Sequence, residues 1–128
     1  MRTLLFASGL FVVAAGAFVG SRANAAGSSP ELVSRGAYLV GPAGQCADCH
    51  RENLAGGPNL IPGPGNVPWA QKVPSLRGLT MFRTDAAAIA FLQTGTLDNG
   101  KTARQPMPAY RFNRPDATAI VAYLRSLK

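Results

Sequence analysis

Between His50 and Thr84 the chain carries Pro58, Pro62, Pro64, Pro68 and Pro74, interspersed with Gly56, Gly57, Gly63, Gly65 and Gly78. Proline removes a backbone donor and glycine weakens both helix and strand, so this segment is expected to be loop. An irregular stretch longer than about 15 residues is uncommon in a compact domain unless it wraps something other than polypeptide. A large buried cofactor would fill that space.

The flanking segments read as helices. Ser29-Pro30-Glu31 supplies a cap, a proline at the first position and an acid in the first turn. A helix from about Pro30 to Val40 follows, ending at Gly41-Pro42. Leu32, Gly36 and Leu39 recur at helical spacing with Tyr38 on an adjoining face, and Gly36 permits close approach of another backbone. Thr84-Asp85 starts a second helix to about Thr94, with Ala88, Ile89 and Leu92 as its apolar stripe and Gly95 as its stop. The last helix begins near Pro115-Asp116 and runs to the C-terminus, placing Ala117, Ile120, Val121, Leu124 and Leu127 on one face. No alternating run with strand composition stands out and no internal repeat is found. The fold class is therefore all-α: three to five short helices wrapped with long loops around a buried group. Their hydrophobic core alone is thin for about a hundred residues.

At the N-terminus Arg2 is followed by a charge-free apolar run from Leu4 to Gly20 and by Ala23-Asn24-Ala25, the pattern of an export signal with its cleavage site. Residues 1–25 are read as signal peptide and 26–128 as one domain. As an uncleaved membrane anchor the run would be short of the roughly 20 apolar residues that span a bilayer. Taking Arg2 and Arg22 from the 13 basic residues leaves 11 against 6 acidic ones, a net charge of +5. Arg77, Arg83, Lys101, Arg104, Arg111 and Arg114 all lie in the second half, where a positive face would steer an acidic protein partner or simply aid solubility. Nucleic acid is a poor fit, since no binding motif accompanies the charge.

The chain has two cysteines and one histidine, and all three fall in Cys46-Ala47-Asp48-Cys49-His50. C-x-x-C-H reads as c-type haem attachment: the two thiols form thioethers to the haem edge, and the next residue lies beneath the iron as proximal ligand. The cofactor expected is one haem c, covalent through Cys46 and Cys49. A Cys46–Cys49 disulfide of a thioredoxin-like catalyst would need a βαβ pattern that the sequence does not offer. Structural zinc would need a fourth ligand.

A low-spin electron carrier wants a sixth iron ligand, and without a second histidine a methionine thioether is the natural donor. Met107 lies between Pro106 and Pro108, whose rings fix the backbone, whereas Met81 reads as packing beside the haem edge. Met107 is the choice. A proximal histidine usually donates its other ring proton to a carbonyl, for which Pro58 and Pro74 are both candidates. Trp69, Tyr110 and Phe112 are ready apolar partners for a macrocycle, and the polar atoms of Trp69 and Tyr110 could reach its propionates.

With these segments placed, the chain from about Glu31 to Lys128 resembles the class I cytochromes c. Gly36-Ala37-Tyr38 looks like the N-terminal helix contact of that family, and Ala122-Tyr123-Leu124-Arg125-Ser126-Leu127 like the C-terminal helix crossing it, so Gly36 and Tyr123 should meet. Leu54-Ala55-Gly56-Gly57, Val73-Pro74-Ser75-Leu76 and Gln105-Pro106-Met107-Pro108 are similar to haem subunits of periplasmic alcohol and sugar-acid dehydrogenase complexes, which implies Pro74 as carbonyl donor. Gly57-Pro58-Asn59-Leu60 also looks like the turn after the haem motif in mitochondrial-type cytochromes, which implies Pro58. Pro74 is preferred.

The expectation is a periplasmic single-electron carrier, not an enzyme, with His50 and Met107 as axial ligands. It would pass electrons between redox proteins with acidic docking faces, or serve as the electron exit of a dehydrogenase or oxidase complex. Membrane attachment would arise only through an uncleaved N-terminal segment. The alternative is a peroxidase-like haem enzyme with an open sixth position.

Overall fold

The computed structural model describes residues 28–128, so the expected signal peptide lies outside the described residues. The element order is α1 (Pro30–Tyr38), a π turn (Leu39–Ala43), α2 (Cys46–His50), β1 (Gly57–Pro58), β2 (Lys72–Val73), a 3-10 turn (Arg77–Leu79), α3 (Asp85–Thr94) and α4 (Arg114–Ser126). The described chain is mostly helical, with one two-stranded sheet.

Each long helix starts on a side-chain cap. Ser29 Oγ accepts from Leu32 N–H at 3.2 Å, Thr84 Oγ1 from Ala87 N–H at 3.2 Å, and Asn113 Oδ1 from Asp116 N–H at 2.8 Å. Asn113 therefore caps α4, whose first residue Arg114 lies one before the expected proline, and the helix ends at Ser126 rather than at the terminus. Gly95, with φ 73°, closes α3 in the left-handed conformation. The Gly41-Pro42 pair does not stop the first helix where expected. The chain continues through one wider π turn around Pro42, which has no N–H to place in the tighter pattern.

Helices α1 and α4 cross at Gly36. A Cβ there would fall on the Ala119 carbonyl and lie 2.6 Å from Tyr123 Cβ, so only glycine lets the two backbones approach this closely. Arg35 and Asp116 pair across the same crossing, Nε to Oδ1 at 2.7 Å. Ala117, Ala119, Ile120, Val121 and Leu124 of α4 pack in one core with Leu39, Val40, Ala88, Ile89 and Phe91. Phe91 was not in the expected stripe of α3. It is buried against Phe82, ring centroids 5.5 Å apart, while the expected Leu92 and Leu127 are only half-buried.

The Pro-Gly segment is loop with one local exception. Gly57 pairs with Val73 and Pro58 with Lys72 in an antiparallel ladder two residues long, too short to leave an alternating pattern in the sequence. Elsewhere scattered backbone hydrogen bonds are supplemented by side chains. Arg125 of α4 donates to the carbonyls of Gly78 (2.6 Å), Leu79 (3.2 Å) and Phe82 (3.1 Å) and pairs with Asp85 at 2.8 Å. Arg77 donates to Asn53 O at 3.1 Å and to the carbonyl of Lys128.

Candidate functional site

The loop walls and the helices enclose a cavity of about 490 Å³ with mostly apolar lining. Helix α2 contributes Cys46, Cys49 and His50 to it; α3 contributes Ala88, Phe91 and Leu92, and α4 Ile120 and Leu124. The loops add Pro74, Leu76, Leu79, Met81, Phe82, Met107, Tyr110 and Phe112.

The pentapeptide is one short helical turn between two non-glycine residues of positive φ, Gln45 (49°) and Arg51 (72°). Conformations of that kind persist only where the surrounding structure enforces them, and they cluster at functional sites. The turn brings both thiols, which are free, and the imidazole to the same cavity wall. Burial pushes the Cys46 thiol above its ordinary value.

His50 is 5% exposed, and its Nδ1–H donates to Pro74 O at 2.8 Å. The Pro58 carbonyl instead accepts from Arg51 Nη2–H at 2.6 Å. Burial lowers the His50 pKa and the Pro74 bond opposes that more weakly, so the neutral ring carries its proton on Nδ1. The Nε2 lone pair is then the ligating one.

Two residues of the Leu54-Ala55-Gly56-Gly57 segment, neither given a role of its own by the sequence, hold Pro74 in reach. Gly56 N–H donates to His50 O at 3.0 Å, and a Cβ on Gly56 would lie 2.7 Å from Pro74 O. Leu54, also at positive φ (57°), accepts through its carbonyl from Leu76 N–H at 2.9 Å and so anchors the chain just beyond Pro74. The signal for Gly56 was present in the Gly56-Gly57 pair. Leu54 was marked only through the resemblance, since a leucine at positive φ is not readable from its neighbours.

Both candidate methionines, Met81 and Met107, reach the cavity. Met107 is half-buried against the core, in a turn closed by its N–H donating to Arg104 O at 3.1 Å. Met81 is 44% exposed. Tyr110 and Phe112 stack with centroids 5.1 Å apart in the cavity wall, and Tyr110 Oη–H donates to Gly44 O at 3.0 Å. Trp69 does not join them. Its indole N–H donates to Ile61 O at 2.8 Å and its ring covers Gly63, so it braces the loop rather than facing a cofactor. Of the basic residues, Lys72 and Arg104 lie at the cavity, together with Asp98; Arg77 is occupied by the backbone.

The donor set suits a covalently held, flat, apolar macrocycle with an iron at its centre. Two thiols at C-x-x-C spacing, an imidazole oriented by a carbonyl and a thioether share one apolar chamber. Residues 33–128 match the family model described as cytochrome c. No curated protein and no solved structure gave a significant match.

Proposed function

The chain belongs to the cytochrome c family, and from that membership we propose that it is an exported monohaem electron carrier whose iron is held by His50 and Met107. The family binds haem c covalently, and Cys46 and Cys49 have the spacing for the two thioethers. Bound haem supplies one-electron exchange between ferrous and ferric iron.

The observation that carries the ligand assignment is the His50 Nδ1–H bond to Pro74 O at 2.8 Å in a wall of the cavity that also holds Met107. It fixes the tautomer and ring plane of His50. The half-buried Met107, in its closed turn, is better placed than the exposed Met81 to keep a sulfur from water. Held by a neutral thioether as well as an imidazole, the iron would favour the ferrous state and a raised potential. The apolar chamber excludes water from the same place.

Lys72 and Arg104 at the cavity support a docking face for an acidic redox protein, with electrons passing through a small transient contact. The periplasm is the compartment that the N-terminal pattern supports. Attachment to a dehydrogenase or oxidase as its electron exit remains part of this proposal, to be read from copurifying subunits.

The test is the visible spectrum of the purified protein, oxidised and reduced, with a pyridine haemochrome assay after acid-acetone extraction. Retained haem, a sharp reduced α-band and a weak sulfur–iron band in the far red support His/Met ligation. In Met107→Ala the far-red band is expected to vanish and the potential to fall, while Met81→Ala leaves both nearly intact. The reverse pattern would assign the ligand to Met81, and covalent high-spin haem in the unaltered protein would favour the peroxidase-like alternative.

A further inference from the structure

The segment that carries Met107 is irregular, and a thioether on an irregular segment stays in place only as well as its backbone is tied down. Three ties outside its own turn are present. Ala70 N–H donates to Gln105 O at 2.8 Å on one side of Met107, and Phe112 N–H donates to Leu92 O at 3.1 Å on the other. The third is made by a side chain: Tyr110 Oη–H reaches Gly44 O at 3.0 Å, across 66 positions of sequence. Gly44 lies two residues before Cys46, in the stretch that leads into the attachment turn.

Tyr110 is thus the side-chain link between the Met107 segment and the segment bearing the cysteines and His50. Its ring is fixed by the stack on Phe112, which is itself anchored to α3 through its amide. Burial raises the hydroxyl's pKa, so it stays protonated and donating at neutral pH.

We propose that Tyr110 is a positioning residue for the sixth ligand: by tying the Met107 segment to Gly44, its hydroxyl sets how often the thioether leaves the iron. This rests on Met107 as the axial ligand. In a carrier of this kind an open sixth position admits small exogenous ligands, so the tie favours electron transfer over ligand binding. The hydroxyl acts through the backbone and touches no reacting atom.

Tyr110→Phe removes the oxygen and keeps the ring on Phe112. The experiment uses the ferric holoprotein with imidazole as the exogenous probe, at concentrations where departure of the thioether limits the rate. The limiting rate is expected to rise about five- to tenfold, the factor that loss of one ordinary hydrogen bond produces. Hydrogen exchange at the Met107 and Tyr110 amides should rise with it, while the far-red band at neutral pH is retained. Arg35→Gln serves as the comparison. It removes an ion pair at the α1–α4 crossing and should lower global stability without changing the imidazole rate.

A Tyr110→Phe rate equal to that of the unaltered protein would overturn the tether. So would an equal acceleration in Arg35→Gln, which would make the effect one of general loosening. Absence of the far-red band in the unaltered protein would overturn the ligand assignment instead, so the two failures are told apart.

Discussion

Two regions of this molecule are held together by different physics. Where α1 crosses α4, the contact is shape against shape: Gly36 meets the Ala119 backbone and Tyr123, with small buried residues on either side. In the walls of the cavity, by contrast, the chain between α2 and α3 has almost no ladder of its own. Side chains hold many of its carbonyls: Arg125 those of Gly78, Leu79 and Phe82, Arg77 that of Asn53, Arg51 that of Pro58, Trp69 that of Ile61 and Asn59 that of Ala70 at 2.7 Å. His50 to Pro74 is one more of these ties. The proximal histidine is therefore both the metal ligand of the proposal and a strut of the loop around it, and the site and its wall are one construction.

The comparison predicts which region yields to which change. At the crossing no side chain can be added without moving backbone, so Gly36→Val should cost about 3 kcal/mol in guanidinium unfolding of the holoprotein, the upper end of the usual overpacking penalty. A loss under about 1 kcal/mol would mean that the helices slide apart freely and that the glycine is incidental. In the wall, Arg125→Met keeps most of the apolar stem while removing three hydrogen bonds to carbonyls and the pair with Asp85. About 2 kcal/mol is expected, concentrated locally, with hydrogen exchange around Leu79 and Phe82 rising more than in α1. Uniform exchange across both regions would show that the wall and the helix pair open as one unit.

What could be read from the sequence follows the same division. The helices advertise themselves, because capping and apolar spacing are local: Ser29, Thr84 and Gly95 stand where their chemistry placed them, and the meeting of Gly36 with Tyr123 followed from the resemblance to class I cytochromes c. Pro42 misled, since a proline usually ends a helix but fits where one wide turn needs no N–H. Asn113 was masked by Pro115, a stronger start signal two residues on. Across the loop, local rules run out. Prolines 58 and 74 carry equivalent carbonyls, and what separates them is Arg51, which occupies one, and Gly56, which makes room for the other. Trp69 could have faced the cavity or the loop, and the free carbonyl of Ile61 draws its N–H to the loop.

The smallest effect belongs to the helical side and bears on whether surface charge matters there at all. Glu31, in the first turn of α1, has its carboxyl held below the ordinary value of 4.5 by its own backbone N–H and then by Ser29. A carboxyl lowered in the folded state contributes stability above its unfolded value and loses it as pH falls through the folded one. The window therefore lies at and below about pH 4.5. Glu31 is fully exposed, so solvent screens most of the gain. Glu31→Gln should be slightly less stable than the unaltered protein at neutral pH, and the gap should close on acidification, measured by denaturant midpoints from pH 7 to pH 3. A gap that stays constant with pH would mean that the side chain acts as a neutral hydrogen-bonding group, and that α1 is held at the crossing by packing and by the Arg35–Asp116 pair with no help from charge at its start.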